Sequence, residues 1–180
     1  MSSPVTTNNV LDRSIFTTLS VEQQREYYSE YGFVLLPEVV SPVQITEIAN
    51  EAAGSPRYDF IDRWPGPALE AIITNPKLLA ALRLCYGEDI RFFKAVYEEW
   101  RDQTEDNRQR GRQRMHRDYT PIPKNGDYRN SCASWGNVGC YLIDLEVDEG
   151  PLWVVPGSHK IAWGAQGDSW EPLADDARMV

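Results

Sequence analysis

The sequence predicts an α+β domain in which helices from the first half pack on a sheet built from the second. Three observations carry that expectation. Apolar residues recur at helical spacing behind N-cap signals up to about residue 87. From Ile90 onward, β-branched and aromatic segments dominate. The length of 180 residues suits one domain with a sizeable core.

Residues 1–19 carry Ser, Thr, Asn and Pro with little periodicity, and a loose leader is expected there. Ser20 and Gln23 form a capping-box pattern ahead of a helix over Val21–Tyr31, and Gly32 is its stop signal. Phe33–Leu36 then reads as a buried strand closed by Pro37. A second helix opens at Ser41, Pro42 and Gln44, is apolar at Val43, Ile45, Ile48 and Ala52, and ends at Gly54. Asn75-Pro76 opens a third, running through Leu78, Leu79, Leu82 and Cys85 to Gly87. Such stripes signify core packing and carry no chemistry. Ile90–Tyr97, Ser134–Leu145 and Leu152–Val155 read as strands. No internal repeat is visible, and residues 164–180 are expected to form an irregular tail after a domain over 20–163.

A hydrophobic content of 42% with 25% charged residues is that of an ordinary globular protein. The net charge of −9 argues against nucleic-acid or anionic-membrane binding, which needs a basic surface. No apolar run has the length of a membrane span, and Met1-Ser2-Ser3-Pro4 lacks the regions of a secretory signal. Cys85, Cys132 and Cys140 have no metal-binding spacing, and their odd count gives no disulfide framework. An intracellular, cytoplasmic location is the expectation.

The chemistry is concentrated between Met115 and Lys160. Residues two apart on a strand project from one face, so the triplet His116-Arg117-Asp118 aims an imidazole and a carboxylate at one volume. These are two of the three protein ligands in the two-histidine-one-carboxylate site of non-haem Fe(II) oxygenases. By itself the triplet is a weak signal, because a surface His beside a solvated Asp is commoner. Its setting changes the balance. Downstream come an apolar run, Val138–Leu145, then the turn Val147-Asp148-Glu149-Gly150. A short strand follows, closed by Pro156-Gly157-Ser158-His159-Lys160.

With these features the chain resembles the phytanoyl-CoA dioxygenase family of Fe(II)/2-oxoglutarate oxygenases. The likeness rests on His-x-Asp, Glu149-Gly150-Pro151-Leu152 and Pro156-Gly157-Ser158-His159-Lys160. It rests also on Glu30-Tyr31-Gly32-Phe33-Val34-Leu35-Leu36-Pro37 before Ser41-Pro42, similar to the family's amino-terminal signature. It spans about Val21 to Lys160. The resemblance implies a double-stranded β-helix (a jelly-roll or cupin-like barrel) with the amino-terminal helices on the sheet. It implies Fe(II) as cofactor, 2-oxoglutarate and O₂ as co-substrates, and His116 and Asp118 as catalytic metal ligands. The reaction implied is C–H hydroxylation or a related oxidation of a small organic or lipid-derived substrate, with succinate and CO₂ as co-products. Relatives that halogenate have a small residue at the carboxylate position, so Asp118 points to hydroxylation.

The family's distal histidine and its 2-oxoglutarate-binding arginine lie on a late strand, and no residue of this chain matches either. His116 and His159 are the only histidines. His159 matches the motif histidine, which the family does not use for metal, so a structural turn role is expected and a third-ligand role is the minority reading. With two protein ligands, Fe(II) affinity falls, and the distal carboxylate of 2-oxoglutarate lacks its bidentate guanidinium. An incomplete barrel also leaves unpaired strand edges. The chain is then truncated, or completed by a second chain, or put to another use; truncation is the favoured reading.

Lys94 lies on a strand where some relatives place a cation or polar group for the co-substrate; a surface lysine is the plainer alternative. Arg108, Arg110, Arg112, Arg114 and Arg117 could draw an anionic substrate, but a loop offsetting Glu98, Glu99, Asp102, Glu105 and Asp106 is preferred. Tyr119, Tyr128 and Trp135 flank the triplet and are read as core before pocket. Asp144, Asp148 and Glu149 are read as turn and edge residues. Beside the oxygenase stand two alternatives, an inactive remnant serving as a binding or scaffolding module, and another metal activity using His116, Asp118 and His159 together.

Overall fold

A computed structural model describes residues 11–53, 60–61, 66–92, 95–96, 136–145, 151–160 and 178–179. The chain divides into two compact units. Among the described residues, one unit holds 11–35, 136–139, 145, 151–160 and 178–179. The other holds 36–53, 60–61, 66–92, 95–96 and 140–144.

The first unit begins inside the segment expected to be a loose leader, and residues 11–18 correct that expectation. Asp12 Oδ1 accepts hydrogen bonds from the Ser14 amide (2.9 Å) and hydroxyl (2.7 Å), a turn that launches α1, Ile15–Thr18. Leu11 and Phe16 are buried, so composition misled because two apolar residues suffice to dock a short segment. Helix α2, Val21–Tyr31, has its expected bounds. Ser20 Oγ accepts from the Gln23 amide while Gln23 Oε1 accepts from the Ser20 amide at 3.0 Å. Gly32 ends the helix at φ +79°, a left-handed geometry that costs glycine nothing, and its N–H donates to Tyr28 O at 2.8 Å.

Tyr27 is the buried residue of α2 and the centre of an aromatic cluster. Phe16 and Phe33 meet it edge-on with ring centroids 5.7 and 6.2 Å away, and Tyr31 lies at 4.8 Å. Burial pushes the Tyr27 hydroxyl up to about 12, with Tyr31 and Asp12 adding to the effect. Phe33–Leu36, expected as a strand, has no ladder partner among the described residues. Its half-buried side chains find their apolar contacts through packing such as Phe33 on Tyr27, without a sheet. Strand β3, Trp153–Val154, falls inside the predicted Leu152–Val155 and pairs antiparallel with β4, Arg178–Met179, with Trp153 opposite Met179. Residues 178–179 thus hold a strand within the expected irregular tail.

In the second unit, α3 spans Pro42–Ala52 behind a second capping box, Ser41 with Gln44. Ile48 and Ala52 are buried at 0% and 1% exposure, whereas Val43 is 68% exposed. Spacing explains the difference: Ile45, Ile48 and Ala52 recur every three or four residues, and Val43 lies off that stripe. Helix α4, Pro67–Ile73, opens with a proline at its first position, but its N-cap Gly66 has no side chain to cap with. Glu51 of α3 replaces it, accepting from the Ala68 and Leu69 amides at 2.8 Å each. Helix α5, Pro76–Tyr86, is capped by Asn75 Oδ1, which accepts from the amides of Lys77 and Leu78. Asn75 Nδ2 also donates to Val39 O at 2.7 Å, and Lys77 Nζ donates to Pro37 O, fixing the loop before α3.

The core of this unit is Ile48, Ala52 and Leu69, with Val40, Ala68, Ile72 and Leu142 packed on it. A strand pair of β1, Phe60–Ile61, and β2, Ala95–Val96, is antiparallel. Of the predicted strand Ile90–Tyr97, residues 90–92 form no ladder among the described residues and residues 95–96 form β2. Residues 136–145 correct a longer strand expectation, for they form no ladder, and a bend sits at Leu142-Ile143. Val138, Tyr141 and Ile143 face solvent while Leu142 packs inward, and Gly139 interrupts the run. Strand propensity needs a neighbouring strand to act on, and none is supplied among the described residues. The double-stranded β-helix itself is therefore not seen among them.

Candidate functional site

His116, Asp118 and Lys94 lie outside the described residues, as do the arginine run, Tyr119, Tyr128, Trp135, Asp148 and Glu149. Among the described residues no three His, Cys, Asp or Glu side chains come together in a way that would hold a metal ion. Asp144 is exposed. Cys85 is half-buried and burial pushes its thiol up to about 11, away from the thiolate a nucleophile needs at neutral pH.

The part of the motif region that is described is the turn after β3. Pro156-Gly157 leads into a single 3₁₀ turn, Ser158–Lys160, closed by the Ser158 amide on Val155 O and the Lys160 amide on Gly157 O. Gly157 sits at φ +79°, which a side chain would strain. This turn lies on the carboxyl end of α2. The Gly157 amide donates to Tyr31 O at 2.9 Å. His159 Nε2 lies 3.0 Å from Ser29 O. Lys160 Nζ pairs with Glu30 Oε2 at 2.5 Å.

A backbone carbonyl only accepts, so His159 Nε2 carries the proton in this bond. The other ring nitrogen, Nδ1, is buried and has no hydrogen-bond partner among the described residues. It is packed against Gly32, where an added Cβ would fall 2.3 Å from Nδ1. Nε2 is thus engaged by Ser29 O, and the lone pair on Nδ1 is covered by Gly32 in this geometry. Lys160, by hydrogen bond and charge, holds the Glu30 carboxyl below the ordinary value of 4.5, and His159 adds a smaller effect. An open groove runs along the same helix end, lined by Arg25, Glu26, Ser29, Glu30 and Tyr31.

Sequence reasoning met both halves of this contact, as the Glu30–Pro37 signature and the Pro156–Lys160 motif, without joining them. One signal was available: Glu30 and Lys160 are opposite charges in two motifs that each carry a glycine at a turn.

No curated protein and no solved structure matches the chain. The family model described as phytanoyl-CoA dioxygenase (PhyH) matches residues 28–178, which takes in the His-x-Asp triplet and both halves of the helix-end contact. The chain therefore belongs to the phytanoyl-CoA dioxygenase family, whose fold is cupin-like and whose members are in general Fe(II)- and 2-oxoglutarate-dependent dioxygenases.

Proposed function

We propose that this protein is an Fe(II)- and 2-oxoglutarate-dependent oxygenase that hydroxylates, or similarly oxidises, a C–H bond of a small organic or lipid-derived substrate. The observation that carries the reading is the family match over residues 28–178 with His116-Arg117-Asp118 inside it. The donor set suits ferrous iron in kind, since an imidazole nitrogen and a carboxylate oxygen are the ligand types of that site. His116 and Asp118 would hold the metal on a jelly-roll strand. Bound iron supplies O₂ activation driven by 2-oxoglutarate oxidation, and the protein's part is to orient the substrate and exclude water. Lys94 is a candidate charge partner for a 2-oxoglutarate carboxylate. The net charge of −9 fits a small-molecule substrate better than a nucleic acid. Among the described residues no helix is long and apolar enough to cross a membrane.

One observation favours a second reading. Residues 1–180 contain two histidines, and the ring of His159 is occupied by Ser29 O and Gly32. A site limited to His116 and Asp118 would suit a catalytically silent binding module. Anaerobic Fe(II) titration followed by succinate release from 2-oxoglutarate separates the two. The oxygenase reading expects one iron per chain and turnover, both lost in His116→Ala and in Asp118→Ala. Turnover that survives His116→Ala would overturn the ligand assignment; a folded chain with neither iron nor turnover would favour the module.

A further inference from the structure

We infer that the Pro156–Lys160 motif is a latch: a cap delivered to the carboxyl end of α2 from a segment about 130 residues away in sequence, with Gly32 and His159 acting as one unit. The last four carbonyls of a helix have no partner within it. In α2 these belong to Tyr28, Ser29, Glu30 and Tyr31. Gly32 supplies a local donor to the first, while His159 and Gly157 supply remote donors to the second and fourth. Lys160 adds a cation where the helix dipole is negative. An isolated helix of 11 residues is marginal in water, and α2 has Tyr27 as its buried side chain. The latch therefore couples formation of α2 to placement of the segment that follows β3.

The pairing has steric and chemical halves. The ring of His159 fits because Gly32 has no Cβ, and Gly32 is left-handed because α2 stops there. The Nε2 proton must reach Ser29 O, so the donor's position on the ring matters as well as its presence. Glutamine places its amide nitrogen near the Nε2 position, whereas asparagine is one bond shorter and matches Nδ1. This inference stands apart from the oxygenase reading, because its test needs neither iron nor turnover.

The test is amide hydrogen exchange on the full chain as wild type and as His159→Ala, His159→Gln and His159→Asn. In wild type the Gly157 and Gly32 amides are expected to be protected. His159→Ala and His159→Asn should speed their exchange about 5–30-fold, the ratio that goes with loss of one such interaction, whereas His159→Gln should keep most of the protection. Amides of α5, in the other unit, should not change and so control for general destabilisation. Should His159→Ala fail to fold, the contrast between Gln and Asn still decides. Unchanged protection in the Ala variant, or rescue by Asn instead of Gln, would overturn the latch.

Discussion

Glu51 makes a test of how one unit of this protein is held together. Its carboxylate accepts from Ala68 N and Leu69 N at 2.8 Å each, so it caps α4 from α3. Hydrogen bonds to a charged acceptor contribute about 1.5–3 kcal/mol when well shielded. Glu51 is only half-buried, however, and water takes over part of the role when the side chain is removed. The expected cost of Glu51→Ala is therefore the N-cap range, about 1–2 kcal/mol. Glu51→Gln keeps one acceptor but turns an NH₂ toward the second amide, so a cost of about 1 kcal/mol is expected. Gly66 supplies an independent route to the same defect. A Cβ there would lie 2.4 Å from Glu51 Oε1, and the backbone of Gly66 is extended, so Gly66→Ala acts by displacing the carboxylate without straining the chain. Urea denaturation followed by circular dichroism measures each variant, and amide exchange at Ala68 and Leu69 reports the cap directly. Because both substitutions remove one interaction, the double variant should cost little more than either single one. If Glu51→Ala lies within about 0.5 kcal/mol of wild type, or the two costs add in full, the cap is not what joins α3 to α4.

The remaining expectations concern the core and the latch. Ile48, at 0% exposure, should cost about 2–5 kcal/mol as Ile48→Ala, while Val43→Ala at 68% exposure should stay within about 0.5 kcal/mol in the same urea assay. Equal costs would mean that the apolar stripe of α3 is misplaced. Glu30 titrates below its ordinary value because Lys160 bonds its charged form. A carboxyl whose folded value is lowered stabilises above the unfolded value and loses that contribution as pH falls through the folded one. Acidification from the ordinary carboxylate range downward should therefore release the Glu30–Lys160 contact, and Lys160→Met should return the Glu30 titration, followed by carbon NMR, toward 4.5. A Glu30 titration unmoved by that substitution would remove Lys160 as the cause.

What could be read from residue order alone follows the range of the interaction. Ser20 with Gln23, Ser41 with Gln44, and Asn75 with Leu78 are contacts three residues apart, and the helices they start were predicted with correct starting residues. Gly32 and Gly87 likewise mark their ends by local bonds to Tyr28 and Arg83. Helix α4 escaped because its cap comes from Glu51, 17 residues before the amide it binds, and no local pattern encodes that. Strand expectations failed at Phe33–Leu36 and over 136–145 for a related reason, since a ladder needs a partner that propensity does not name. At the candidate site, spacing and resemblance single out His116 and Asp118, which lie outside the described residues, and convergence of side chains is a long-range property that spacing does not encode. For His159 the expectation of a turn residue agrees with its bond to Ser29, but the bond itself joins residues 130 apart.

The latch changes how a histidine variant of this protein has to be interpreted. A metal ligand must offer a lone pair, while a helix-end cap must offer a proton, and one ring nitrogen cannot do both at once. Iron lost on substitution of His159 would not by itself make it a ligand, because freeing the turn after β3 also disturbs whatever that segment supports. Glutamine at position 159 separates the two causes: its amide nitrogen donates but has no basic lone pair for ferrous iron. If His159→Gln restores both the protection of Gly157 and the iron content, the imidazole serves as a donor. The metal then rests on ligands other than His159, of which His116 and Asp118 are the proposed ones. If protection returns and iron does not, the Nδ1 lone pair, covered by Gly32 in this geometry, is the ligand, and it can bind an ion while Nε2–H stays on Ser29 O. Binding there would require the ring to move off Gly32, which iron titration of the wild-type chain would show as faster exchange at Gly32.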